Sequence, residues 1–128
     1  MSAMSDYLEN EILDHILGTG AYTMPSNVYI GLSTGSFSDD NSGTELSGSG
    51  YARQAITFAA ASSASAATNA TVTFPTATGS WGDVSSWGLF DASSSGNLLI
   101  HGAFASSKTI ASGDVLRVNS GDLTVTAA

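Results

Sequence analysis

The feature that most constrains the fold is a pair of apolar runs within residues 84–104 that flank a polar segment, DASSSGN. This pattern is typical of a β-hairpin with a longer loop. In the first run Trp87 and Leu89 alternate with Gly88 and Phe90, and both faces are poor in polar groups. We therefore predict that the hairpin lies near the centre of a sheet, covered on both faces. One face is expected to meet the core, and the other either the N-terminal helix or a neighbouring subunit.

One amphipathic helix is predicted over Asp6–Leu17. Asp6 and Glu9 resemble a capping box at its start, and Gly18 stands where a left-handed C-cap would lie. The apolar residues recur at helical spacing and form one stripe: Leu8, Ile12, Ile16, Leu13 and Leu17. Because a helix of about 12 residues is marginal alone, it is expected to dock on its own sandwich or on a partner.

The remaining chain alternates short apolar runs with turns. Strands are predicted around residues 27–33, 50–58, 70–74, 107–110, 114–118 and 122–126. Residues 34–50 are too polar to be regular, and residues 59–70 predict an exposed connection or a flat contact surface. We predict an all-β fold with one N-terminal α-helix, an antiparallel β-sandwich of jelly-roll or immunoglobulin-like kind. A single domain is expected over residues 1–128, with the helix and an arm in 1–20 and the sandwich in 27–126.

Charge and composition exclude several classes of protein. Three basic residues stand against eleven acidic ones, a net charge of −8, so a patch that neutralises nucleic-acid phosphates is not expected. The chain has no cysteine, and its N-terminal segment has neither a basic n-region nor a long apolar run. We accordingly expect no thiolate metal site, no secretory signal and no membrane span.

Two motifs suggest chemistry. Residues 31–35 match the G-x-S-x-G pattern around Ser33, and Asp91 and His101 follow in the order of a hydrolase. A nucleophile elbow needs a helix directly after the serine, whereas a polar loop follows here, so a turn at a strand end is the preferred interpretation. No catalytic residue is predicted, and the protein is not expected to be an enzyme.

The second motif is an acidic loop that carries Asp39, Asp40, Asn41 and Glu45. Their spacing does not fit the register of a calcium-binding EF-hand loop, so a solvated acidic turn is the preferred interpretation over a weak ion site. His15 and His101 lie far apart in sequence and have no metal-ligand spacing, so no metal and no cofactor are predicted.

Aromatic residues offer a further alternative. Trp81 and Trp87, with Tyr29 and Tyr51, suggest either an exposed platform that binds sugars or, more commonly, buried core residues. Candidate interface residues are taken from the helix stripe and the two tryptophans: Leu8, Ile12, Ile16, Trp81 and Trp87.

Three blocks of sequence resemble a known family: GSGYARQ, then FP…WG…GLFDA, and finally LL-x-HG with its SGD turn. With these blocks, the chain from Tyr7 onward is similar to small bacteriophage virion structural proteins, labelled either head decoration (cement) proteins or tail fibre proteins. The resemblance implies a β-rich virion component with no cofactor and no known catalytic residues.

A short chain without heptads or repeats suits a knob on a lattice better than a long fibre. We therefore expect a homotrimeric capsid cement protein that is made in the host cytoplasm and binds across major capsid protein subunits or other virion proteins. The alternative is a tail fibre or host-receptor (glycan) binding protein, with loops 35–50 and 59–69 as its binding surface.

Overall fold

The computed structural model describes residues 2–127, in which the chain forms one helix and nine strands. The elements are β1 (Ser2–Met4), α1 (Asp6–Leu17), β2 (Val28–Ser33), β3 (Gln54–Ile56), β4 (Ser65–Ala67), β5 (Val72–Thr73), β6 (Gly82–Phe90), β7 (Leu98–Ile110), β8 (Arg117–Val118) and β9 (Thr124–Thr126). All strand pairs are antiparallel. The predicted all-β class with one N-terminal helix is therefore confirmed.

The predicted hairpin forms the middle of the largest sheet. This sheet has five strands in the order β1-β7-β6-β2-β3. The expectation of a separate strand around residues 107–110 is wrong, because β7 continues to Ile110 and pairs Lys108 with Val84. Beyond that pair the register shifts, so that the four residues 104–107 of β7 lie opposite Ser85 alone. The long strand is thus interrupted by a large bulge, which side-chain periodicity does not reveal.

Short strands occur where the sequence pattern is weakest. The strand predicted over residues 50–58 is reduced to β3, and before it Tyr51 and Arg53 contact the half-buried carboxylate of Glu45. The low-complexity segment contains β4, which pairs with β9, although its residues are small. Backbone hydrogen bonds to β9 hold β4 in place without any large side chain in β4.

The main core lies between one face of the large sheet and two two-stranded ribbons, β4 with β9 and β5 with β8. Its buried members come from both layers: Ile30, Leu32, Ile56, Val72, Phe74, Ala77, Trp81, Val84, Trp87, Leu89, Ile110, Leu116, Val118 and Leu123. The second layer of the sandwich is therefore two separate ribbons. Leu8 reaches the end of this core, where it lines an apolar cavity of about 310 Å³ with Leu99, Ile100 and Val125.

The other face of the hairpin is covered around Phe90 by the polar loop between β2 and β3. Phe37 from this loop is buried with Phe90 and Leu98, and its ring meets that of Phe90 edge to face at 5.7 Å. The expectation that the helix or a neighbouring subunit covers this face is therefore wrong here. A lone aromatic residue in a Gly-, Ser- and Asp-rich loop gives no periodic signal.

Two glycines leave space for the loop that packs around Phe90. Gly31 of β2 lies directly opposite Gly88 of β6. A Cβ atom at Gly88 would lie 3.0 Å from Leu98 and 3.2 Å from Phe37, and one at Gly31 would lie 2.7 Å from a carboxylate oxygen of Glu45. The glycine pair is thus a trough that lets the loop approach the sheet.

Helix α1 has the predicted limits, Asp6–Leu17, but its N-cap lies one residue before the predicted capping box. Ser5, and not Asp6, is the N-cap, because its hydroxyl accepts a hydrogen bond from Leu8 N–H at 3.2 Å. The Ser5 hydroxyl also donates to the carbonyl of Leu98, and Ser5 N–H donates to Leu99 O at 2.8 Å. The predicted left-handed cap at Gly18 is confirmed, with φ of 79°. The first turn of α1 is therefore tied to β7.

We expect Gly31→Ala to lower the free energy of unfolding by about 1–3 kcal/mol, because the methyl group would displace the Glu45 carboxylate from its buried partners. Gly35→Ala is the matched control, since its Cβ would meet its nearest neighbour, Ser33 Oγ, at an ordinary 3.8 Å. Urea denaturation measures both variants. Equal stabilities for the two would show that the trough is not needed.

Candidate functional site

The structure divides the predicted interface residues between core and surface. Leu8, Trp81 and Trp87 are buried, and the indole N–H of Trp81 donates to Ser49 O at 2.9 Å. These three side chains belong to the core and leave almost no area for a partner or for an exposed sugar platform. Ile12 is half-buried and Ile16 is exposed, so an interface role for these two stays a prediction.

Apolar side chains project into solvent from the last turns of α1 and from the segment that follows. The exposed fractions are 55% for Leu13, 73% for Ile16, 70% for Leu17 and 81% for Met24. We call these four residues the helix-end surface. Leu13, Ile16 and Leu17 are spaced i, i+3 and i+4, which places them on one side of the helix. Contiguous exposed apolar groups of this kind mark contact sites.

Local hydrogen bonds hold the end of α1 in place. The N–H groups of Thr19 and Gly20 both donate to Asp14 O, and the Thr19 hydroxyl donates to the Asp14 carboxylate at 2.7 Å. Tyr22 N–H donates to His15 Nδ1 at 3.2 Å, so this histidine has a structural partner. The exposed apolar groups are therefore carried on an ordered helix end, which lowers the entropy lost when a partner covers them.

The residues of the hydrolase-like motif do not meet. The Ser33 hydroxyl is buried and donates to Thr44 O at 2.6 Å. His101 pairs with Asp39 at 2.6 Å, while Asp91 accepts from Asn97 N–H. The preferred interpretation of residues 31–35 as a strand end is thus supported by the structure.

The acidic loop is also divided among separate contacts. Asp39 lies against His101, whereas Glu45 points to Arg53 and Tyr51. Asp40 accepts from Ser42 N–H at 3.0 Å, and hydrogen bonds from Ser42 hold the pKa of Asp40 below its ordinary value. Within residues 2–127, no three His, Asp or Glu side chains are grouped as a metal site.

Sequence reasoning missed a half-buried polar group, formed by Glu45, Tyr51 and Arg53. The Arg53 guanidinium donates to both carboxylate oxygens of Glu45 and to the carbonyls of Ala92 and Ser95, and lies 3.6 Å from the centre of the Phe90 ring. The only available signal was an arginine, one of three basic residues, that entered an apolar strand and needed a partner. These donors and acceptors are all bonded within the chain, so the group holds the loop between β2 and β3 against the sheet.

Tyr51 also links the loop to the sheet. Its hydroxyl donates to Glu45 and accepts from Leu32 N–H at 2.9 Å. Burial raises the pKa of Tyr51 above its ordinary value, and the hydrogen bond to Glu45 raises it further. The folded state therefore keeps this proton at a pH where the unfolded chain releases it, and stability falls as pH rises above about 10.

We expect Tyr51→Phe to lower the free energy of unfolding at neutral pH by about 1–3 kcal/mol, because Leu32 N–H loses its partner. The same variant should lose less stability than the parent between about pH 10 and 11, since one raised pKa is gone. Denaturant titrations across this range measure both effects, with Tyr29→Phe as the control at neutral pH. Parallel pH profiles for Tyr51→Phe and the parent would contradict this explanation.

Among residues 2–127, no helix is long and apolar enough to cross a membrane. No curated protein matches the sequence. The family model described as Podophage GP4 fiber I protein gp80 matches residues 3–126. The resemblance to small phage virion proteins is thereby confirmed. The chain belongs to the family of the podophage GP4 fiber I protein gp80, and it is a phage virion structural protein.

Proposed function

We propose that this protein is a subunit of a virion fibre and that it acts by binding other virion proteins through the helix-end surface. The single observation that carries the proposal is an ordered helix end with three exposed apolar side chains, and a fourth in the segment that follows, in a member of a fibre-protein family. Removing one such side chain from water contributes about 1.5–3 kcal/mol before entropic costs. A few of these contacts, repeated over neighbouring subunits, are sufficient for tight assembly.

The polar groups support a structural role and not a catalytic one. Ser33 and Glu45 are engaged in internal hydrogen bonds, and His101 is paired with Asp39. A catalytic group needs a free partner in a cleft, whereas these groups hold loops against the sheet. We therefore propose that the protein is not an enzyme and that it functions by binding other virion proteins.

Head decoration is the second candidate, with the major capsid protein as partner. The compact chain without heptads or repeats favours it. The family description favours the fibre, and we give that description more weight because it covers residues 3–126. Immunogold labelling of purified virions separates the two locations. Label at the tail supports the fibre proposal, and label distributed over the head contradicts it.

We expect Ile16→Gln with Leu17→Gln to reduce incorporation into virions at least about tenfold, because glutamine keeps helix propensity but removes the apolar contact. Ala60→Gln introduces a glutamine at an exposed position far along the chain and is the control. Immunoblots of purified virions give the ratio, and circular dichroism checks the fold. Full incorporation of the helix variant would rule out the helix-end surface as the attachment site.

A further inference from the structure

A groove lies beside the bulge of β7. Its apolar lining includes Phe104, Leu116 and Leu123, and its volume is about 250 Å³. The bulge, in which residues 104–107 lie opposite Ser85 alone, supplies one wall. Such a volume is far larger than the roughly 30 Å³ that one water molecule occupies in the liquid. The groove is therefore large enough to receive apolar side chains.

Charge distinguishes this groove from the rest of the surface. Lys108 and Arg117 line it, and both are exposed. Neither forms an ion pair with any residue in 2–127, whereas the third basic residue, Arg53, is bound to Glu45. Asp122, whose carboxylate accepts from Asn119 N–H at 3.0 Å, also lines the groove, so the three charged side chains there sum to one net positive charge. On a chain with a net charge of −8, the lysine and the arginine that form no ion pair within residues 2–127 both lie at this apolar groove.

Helix α1 has the complementary character. It carries four carboxylates and no lysine or arginine, and its last turns expose the apolar helix-end surface. Glu9 precedes Leu13 by one helical turn, and Asp14 follows directly, so acidic groups border the apolar face. The one other large exposed apolar side chain among the described residues is Val115, which directly precedes Leu116 of the groove.

We propose that the groove at Lys108 and Arg117 receives the acidic, apolar end of α1 from a second copy of this chain. The proposal rests on the proposed function, since it names the first partner of the helix-end surface. The two surfaces do not meet within one protomer, because no residue of α1 lines the groove and Leu13, Ile16 and Leu17 are exposed. Each copy therefore gives one helix and receives another, and the rotation between copies decides whether such a contact closes into a ring or continues as an open filament.

Electrostatic attraction determines which surface of one copy meets which surface of the other. Two chains that are both acidic repel each other at long range. The acidic helix of one copy is nevertheless attracted at short range by the Lys108 and Arg117 side chains of the other. Burial of the leucine and isoleucine side chains then supplies the affinity, while the charges fix the register. The bulge of β7 serves to open the groove between the strand and β8.

The test uses two full-length variants that each remove one half of the contact. Ile16→Gln with Leu17→Gln removes the apolar helix end, and Lys108→Glu with Arg117→Glu makes the groove repel it. All four positions are exposed, so both variants should fold, which circular dichroism and thermal melting verify. Light scattering after size-exclusion chromatography gives the mass of each sample. Ala60→Gln is the control.

We expect the parent and the control to associate and each variant to associate at least about tenfold more weakly. A mixture of the two variants should recover one contact, between the intact helix of one and the intact groove of the other. This mixture should give a complex of twice the mass of a single chain. A chain that carries all four substitutions has neither an intact helix end nor an intact groove, so it should not associate.

A parent protein that enters virions but remains monomeric at every soluble concentration would overturn this inference and leave the proposed function standing. Groove variants that associate like the parent but fail to enter virions would overturn it too, since the groove would then serve another virion protein. Absence of the parent from virions, with helix-to-groove association intact, would contradict only the proposed function.

Discussion

The fold depends on closing both faces of the β6–β7 hairpin, and the second face closes through a loop that is almost entirely polar. Gly31 and Gly88, opposite each other in the sheet, leave the space that Phe37 and the Glu45 carboxylate occupy. The Arg53 guanidinium then fixes the loop by bonding Glu45 and covering the Phe90 ring. A polar segment can cover this face of the sheet because the half-buried charge of Glu45 is paired and hydrogen-bonded.

Helix α1 shows the opposite distribution of apolar surface. Its first turn is anchored to β7 by Ser5 and Leu8, while its last turns lie free of the sheet. A short helix held at one end and apolar at the other is marginal by itself. The proposed assembly with another virion protein would remove the exposed side chains from water. On this proposal, the same sequence stripe serves folding at its start and adhesion at its end.

Sequence patterns predicted the hairpin, the limits of α1 and the cap at Gly18, because periodicity and capping residues report local structure directly. Ser5 was missed since Asp6 and Glu9 imitate a capping box one residue later. Phe37 and the Glu45–Arg53 pair were missed because each depends on contacts between segments distant in the fold, to which no periodic pattern points. The exposure of Ile16 was equally invisible, since an apolar stripe does not reveal which turn meets the core.

Hydrogen exchange of α1 tests most directly whether the protein functions through its exposed helix end. Amide exchange of Leu13, Ile16 and Leu17 is compared between dilute purified protein and intact virions. We expect exchange at least about tenfold slower in the virion, because a bound partner suppresses fraying of the last turns. Equal exchange in both states, with normal protection of β6 and β7, would contradict it.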